Sequence, residues 1–421
     1  MDRAAAVLDQ VDERENAMAE LLSTLVRTPS VTGSESENDL QHQLAERLAA
    51  LGLDVDFWQI PLAETLAAQD FPGIEVPRTE AWGLVARLPG TADGPTLMLN
   101  AHVDVVPPGD PTTWTAADPF SGQIRDGQVF GRGACDMKGG LVAALWALLA
   151  VRASGLALRG DVLLACVQGE EDGGLGTFAT LRRGWRADAC VIPEPTSLDL
   201  VPANAGALTF RLRVPGLATH ASRRTEGVSA IEKLWPLYRA LEALEAERNA
   251  VVDPLVRRWP IAYPISIGHV HSGDWASSVP DLLVAEGRYG VALGESVESA
   301  RAAFESCVAA TSAADPWLRD HPASVEWWGG QFASGQLPAS SDLLSRVRSA
   351  HQRVTGGAAQ DVWAAPYGSD LRLMNGIGGI PTLHYGPGDA GLAHGPDESV
   401  PLAEVATTAR ALALLALDFC G

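Results

Sequence analysis

Residues 96–106 read TLMLNAHVDVV, an apolar run that ends on His102 and Asp104. Two residues apart on a strand, both side chains point to one face. A carboxylate at 104 can accept the second ring N–H of His102 and fix its tautomer, the usual support of a metal-bound histidine. Ligands collect outside the carboxyl ends of strands in open α/β sheets, so this stretch predicts both a sheet and a site at its edge.

Working outward, residues 161–168 (DVLLACVQ) and 189–193 (ACVIP) are also strand-like, and residues 140–154 (GLVAALWALLAVRAS) are helix-like. From residue 82 to residue 201 such runs alternate, as a mainly parallel sheet covered by helices requires. From about residue 206 the pattern changes. ALTFRLRV (207–214), a helix over 227–249, strands near 263–271 and 282–291, a helix over 295–313 and ASVEWW (323–328) read as β-α-β-β-α-β. The last 90 or so residues return to helix and strand. The expected fold is therefore α/β: a discontinuous catalytic domain with a mainly parallel sheet flanked by helices, in residues 1–205 and 331–421. A second domain, residues 206–330, is inserted into it.

The chain of 421 residues exceeds the usual single-core size, which also favours two domains. With 47% hydrophobic and 20% charged residues it has the composition of a globular protein. A formal net charge of −21 argues against nucleic-acid or anionic-membrane partners. The first 26 residues carry acidic groups throughout and read as an amphipathic helix, not a signal peptide. No stretch reaches about 18 uninterrupted apolar residues. Five scattered cysteines without a CxxC pair suit a reducing cytoplasm.

Five residues of metal-binding type fall at the predicted strand ends: His102, Asp136 in GRGACDMKGG, Glu171 in QGEED, Glu194 in VIPEPTS and His394 in GLAHGPDES. Zinc takes imidazole nitrogen and carboxylate oxygen, and two neighbouring ions need a ligand that bridges them. Asp136, in a Gly-rich turn before a helix, is placed to do so. His102 and Glu194 then serve one ion, and Glu171 and His394 the other, leaving positions open for water and substrate. Glu170 and Glu171 are adjacent, so one can ligate while the other faces substrate as a general base. Taken singly, each of these has a plain reading as a loop, turn or capping residue; their coincidence at strand ends favours the site. Cys135 reads as a buried structural thiol.

The motifs HVDVVP, GRGACDMKGG, EE before a Gly-rich turn, EPT, THAS and AHGPDE together resemble the M20 metallopeptidase-like amidohydrolases, especially the acetylornithine deacetylase and succinyl-diaminopimelate desuccinylase group, over residues 20–412. The resemblance implies two divalent metal ions, zinc or cobalt, Glu170 as general base, Asp104 orienting His102, and a cis peptide bond after Asp136. It implies that the inserted domain acts as lid and dimerisation domain of a homodimer, and that His220 stabilises the oxyanion. Arg288, in VPDLLVAEGRYG, would hold a substrate carboxylate, with Arg372 in YGSDLR as a second candidate. His269 and His271 match no motif. Ser278 stands before Val279 and Pro280 where many relatives have Asn, and PYGSD replaces a GT or TS pair, so substrate identity does not carry over.

The expected function is metal-dependent hydrolysis of the amide bond of a small N-acyl amino acid or similar carboxylate-bearing amide. Alternatives are a dipeptidase or carboxypeptidase, an aminohydrolase or amidase acting on an aromatic carboxylate, and a non-catalytic, metal-stabilised binding protein. Glu194 favours the deacylases, since peptidase relatives commonly carry Asp there.

Overall fold

The computed structural model describes residues 3–115 and 118–421. The chain forms two compact units: Met1–Ala203 with Gln336–Trp363 and Ser369–Gly421, and Asn204–Gly335 with Ala364–Gly368. The second unit is thus inserted into the first, and the short segment 364–368 groups with the insert.

The first unit is built on a nine-stranded sheet. Its order runs Asp54–Gln59, Trp82–Leu88, Val162–Val167, Leu97–His102, Ala189–Ile192, Thr382–His384, Leu200–Asn204 and Gly335–Gln336, with Val362–Ala365 also paired to Leu200–Asn204. The centre is parallel: Leu97–His102 pairs with both Val162–Val167 and Ala189–Ile192, and Thr382–His384 with the latter. Trp82–Leu88 joins antiparallel at one side. Leu97–His102 and Val162–Val167 are buried at every position. That is why their sequences are largely apolar without alternation: helices cover both faces.

The helix Gly139–Ala153 packs against the long C-terminal helix Leu402–Cys420 in this core. The segment Ala134–Ala153 has the length and apolarity to cross a membrane, yet 89% of its most apolar window is buried inside the protein. Its apolar composition is that of a core helix. A separate three-stranded sheet pairs Gln123–Arg125 with Gln128–Phe130, and Gln128–Phe130 with Ser399–Pro401. It brings the C-terminal loop containing His394 alongside the turn containing Asp136.

The second unit follows the β-α-β-β-α-β order. A four-stranded antiparallel sheet runs Ile265–Ser272, Leu282–Val291, Gly206–Pro215, Ser324–Phe332. The helices Ala230–Arg248 and Val297–Ala314 belong to the same unit. Leu208, Phe210, Leu212, Leu237, Tyr289 and Phe304 lie in its own apolar core.

Candidate active site

Three of the five candidate ligands lie at or just beyond the ends of central strands, a fourth in the turn that opens a helix, and the fifth arrives from the C-terminal loop. His102 ends Leu97–His102, Glu170 and Glu171 follow Val162–Val167, and Glu194 follows Ala189–Ile192. Asp136 lies in the turn Ala134–Lys138 that opens into Gly139–Ala153, and its peptide bond to Met137 is cis, as the resemblance implies. Gly133 enters this turn with φ +84°, a conformation that favours glycine. His394 has φ +63°, a left-handed backbone unusual for histidine.

The other four side chains gather around Asp136. His102 Nε2 lies 3.0 Å from Asp136 Oδ1 and 3.9 Å from Glu194 Oε1. His394 Nε2 lies 3.6 Å from Asp136 Oδ2 and 3.2 Å from Glu171 Oε2. Each oxygen of Asp136 therefore faces a different histidine, and each histidine a different glutamate. Ligand atoms of His102, Asp136 and Glu171 lie within 4.8 Å of one another. Two atoms about 2.1 Å from a tetrahedral zinc are separated by about 3.4 Å, so these spacings fit divalent ions.

Hydrogen-bond roles strengthen the fit. His102 Nδ1 is 2.9 Å from the backbone carbonyl of Asp104, an acceptor only, so the ring proton resides on Nδ1. In the neutral ring the Nε2 lone pair then points at a carboxylate oxygen, an arrangement that a cation between them satisfies. Here the sequence expectation is corrected. It is the carbonyl of Asp104 that takes the His102 proton, with the nearer carboxylate oxygen 3.8 Å away. The Asp104 carboxylate instead accepts the N–H groups of Glu170 (3.2 Å) and Glu171 (3.3 Å) and the Thr32 hydroxyl (2.9 Å). The turn after Val167 leaves those N–H groups without strand partners, and a buried N–H needs an acceptor.

Charge is concentrated in the same place. Burial, then repulsion by Asp370, pushes the Glu170 carboxyl well above its ordinary pKa. Glu171 is raised by burial and by Asp136, and Glu194 well raised by the same two causes. The hydrogen bond to Glu171 raises His394 to about 9. Burial works to lower His102, but the hydrogen bond to Asp136 and the charge of Glu194 outweigh it and hold it well above the usual range. Carboxylates in excess of cations, buried together, are a site for positive charge.

Glu398 was not singled out in the sequence, although it stands in the same AHGPDE motif. It is fully buried, accepts from the N–H groups of Cys135 (2.9 Å) and Asp136 (3.0 Å), and pairs with Arg132 at 2.6 Å. It thereby clamps the Asp136 turn. Lys138, also buried, donates to the carbonyls of Leu25 and Thr28, each at 2.9 Å. Asp370 is buried beside this cluster, 3.8 Å from Arg372.

Arg372 is buried, and its guanidinium donates to the carbonyls of Ser369 (2.6 Å) and Gly173 (2.7 Å), which ties it to the loop that bears Glu170 and Glu171. The other two candidates lie in the second unit. Arg288, half-buried on Leu282–Val291, donates to Thr209 Oγ1 at 2.6 Å. His220 is exposed, and its Nδ1 accepts the Ser222 N–H at 3.2 Å, which leaves the neutral ring's proton on Nε2.

Two histidines and three carboxylates at the strand ends of an open α/β sheet define a candidate metal centre of hydrolase type. The chain belongs to peptidase family M20/M25/M40, whose sequence pattern matches residues 98–418. It is similar to N-formyl-4-amino-5-aminomethyl-2-methylpyrimidine deformylase of Halalkalibacterium halodurans, with 27% identity covering 98% of this chain and 97% of that one. It is also similar to acetylornithine deacetylase of Erwinia tasmaniensis, with 26% identity covering 95% and 97%. The fold matches the solved structure of the dipeptidase Dug1p from Saccharomyces cerevisiae with a TM-score of 0.75 at 17% identity, over 99% of this chain and 98% of that one.

Proposed function

We propose that this protein is a deacylase that removes a small acyl group from an amine by hydrolysing the amide bond, using two divalent ions, zinc or cobalt. The observation that carries this reading is Asp136, with a different imidazole and glutamate gathered at each of its two oxygens. Family membership supports hydrolysis. The names of the two relatives that align over nearly the whole chain, a deformylase and a deacetylase, support removal of a small acyl group.

His102, Glu194 and Asp136 would hold one ion, and Glu171, His394 and Asp136 the other. The chemistry such a pair supplies is polarisation of the substrate carbonyl and acidification of a water. Glu170 stands on the turn next to Glu171 and is the proposed general base. Its raised pKa suits it to keep the proton it takes from water and deliver it to the departing nitrogen. His220, whose ring proton lies on Nε2, is the proposed donor to the developing oxyanion. Arg288 is the proposed partner of a substrate carboxylate, where a guanidinium offers paired donors.

The assembly we propose is a homodimer through the inserted unit. Ile231, Trp235 and Tyr238 are exposed at helical spacing on Ala230–Arg248, and Ile265–Ser272 is a sheet edge. Five free cysteines support a reducing compartment, and we place the protein in the cytoplasm.

The test is hydrolysis of N-formyl, N-acetyl and N-succinyl amines and amino acids, with dipeptides as comparison, after restoring zinc or cobalt to the chelated protein. Glu170→Ala is expected to retain both ions and lose about 10²-fold or more in kcat. Chelator-insensitive turnover, or full activity of that variant, would overturn the reading.

A further inference from the structure

Residues 71–81 form neither helix nor strand, yet they are fastened to the turn that bears Glu170 and Glu171. A Cβ on Gly173 would meet the Gly73 carbonyl oxygen at 1.9 Å, so the two backbones touch. Asp172 accepts the N–H groups of Glu75 (3.2 Å) and Val76 (3.0 Å) and both terminal nitrogens of Arg78, at 2.8 and 3.1 Å. Arg78 Nε lies 3.6 Å from Glu37 Oε2. Glu37 in turn accepts the N–H groups of Gly33 (2.7 Å) and Gly169 (2.9 Å).

Every residue from 169 to 172 is thus held from behind: Gly169 by Glu37, Glu170 and Glu171 by Asp104, and Asp172 by Arg78 and the N–H groups of Glu75 and Val76. The carboxylates of Glu37, Asp104 and Asp172 are all buried, and Arg78, whose side chain is 2% exposed, touches two of them. Without a cation between them, mutual repulsion would drive these groups apart and release the turn. A guanidinium meets the geometry because its planar fork spans both oxygens of Asp172 while its Nε faces Glu37; an ammonium offers one point charge.

We propose that Arg78 is a positioning residue for the reaction: through Asp172 and Glu37 it fixes the turn that presents Glu171 to metal and Glu170 to substrate. It makes no contact with substrate in this role, which rests on the function proposed above for those two glutamates. The buried charge makes the turn stiff, and stiffness there matters because a ligand and a base on adjacent residues cannot be adjusted separately.

The test uses the full-length protein with Arg78→Gln and Arg78→Lys, the second retaining the buried charge if the first folds poorly. Three quantities are read: hydrogen exchange at the Glu170 and Glu171 amides, zinc affinity of the chelated protein, and kcat and KM on an N-acyl substrate. Faster exchange at both amides is expected, with zinc affinity lowered about 10- to 100-fold, as for loss of other groups that orient ligands. kcat should fall while KM stays within about twofold, and Lys should recover part of each loss. Unchanged exchange and zinc affinity would refute the proposal, as would a rise in KM alone or a loss confined to melting temperature. If the wild-type protein hydrolyses no substrate, the functional reading falls, while exchange and zinc affinity still decide the role of Arg78.

Discussion

Glu398 offers the sharpest test of how the site is held together. Its carboxylate is fully buried, pairs with the buried Arg132 at 2.6 Å, and accepts two backbone N–H groups at 2.9 and 3.0 Å. Glu398→Ala leaves the Arg132 guanidinium and both N–H groups without their acceptor. Breaking a buried pair from one side typically costs about 3–5 kcal/mol. Glu398→Gln keeps an oxygen for the N–H groups and loses the charge facing Arg132, a loss of about 1.5–3 kcal/mol for a hydrogen bond to a charged group. Arg132→Met combined with Glu398→Ala removes the stranded charge, so the pair together should cost less than the sum of the two single changes. Urea unfolding reads these differences as shifts in midpoint, with the inserted unit followed separately because two units need not unfold as one. In the folded protein, Asp136 loses the anchor of its N–H, and zinc affinity should drop about 10- to 100-fold. The reasoning fails if Glu398→Ala costs under about 1 kcal/mol or if the two single costs add in full.

Gly140→Ala sets helix propensity against packing: alanine in a helix gains about 1 kcal/mol, while overpacking costs about 1–3 kcal/mol. The added Cβ would lie 1.9 Å from the Pro193 carbonyl oxygen, a backbone atom that cannot step aside, so a net loss is expected, together with weaker zinc binding through the neighbouring Glu194. A stability equal to or above wild type by thermal unfolding would contradict this. His384 is buried with its pKa lowered by burial to about 3. Between that value and the unfolded value near 6.5 the unfolded chain binds a proton that the native one does not, so stability falls as pH drops, by up to about 1.4 kcal/mol per pH unit. His384→Asn should flatten this acid limb in urea unfolding at pH 4 to 7; an unaltered slope would show that other groups govern it.

The metal candidates were legible because each sits in a short local pattern: His102, Glu171 and Glu194 at or just after apolar strands, Asp136 in a Gly-rich turn before a helix, and His394 in a Gly- and Pro-containing loop. The inserted unit was legible for a similar reason, since its change of periodicity from parallel βα units to β-α-β-β-α-β is a local property of the chain. Asp104 was found and its atoms misassigned, because a residue number says nothing about whether the carbonyl or the carboxylate meets a ring nitrogen. Arg372 donates to two carbonyls, one of them 199 positions away, and no local motif reveals such partners.

What the sequence alone determined, then, is the set of chemical groups and the sheet that gathers them, since strand periodicity and turn placement depend on near neighbours. What tertiary structure alone decided is which group holds which. Asp136 takes its support from Glu398, 262 positions on, and Asp172 takes its support from Arg78, 94 positions back. The reason is the same in both places. Turns at strand ends leave N–H groups and carboxylates without local partners, burial makes each unmet group costly, and the partner is whichever side chain the fold brings within hydrogen-bond reach.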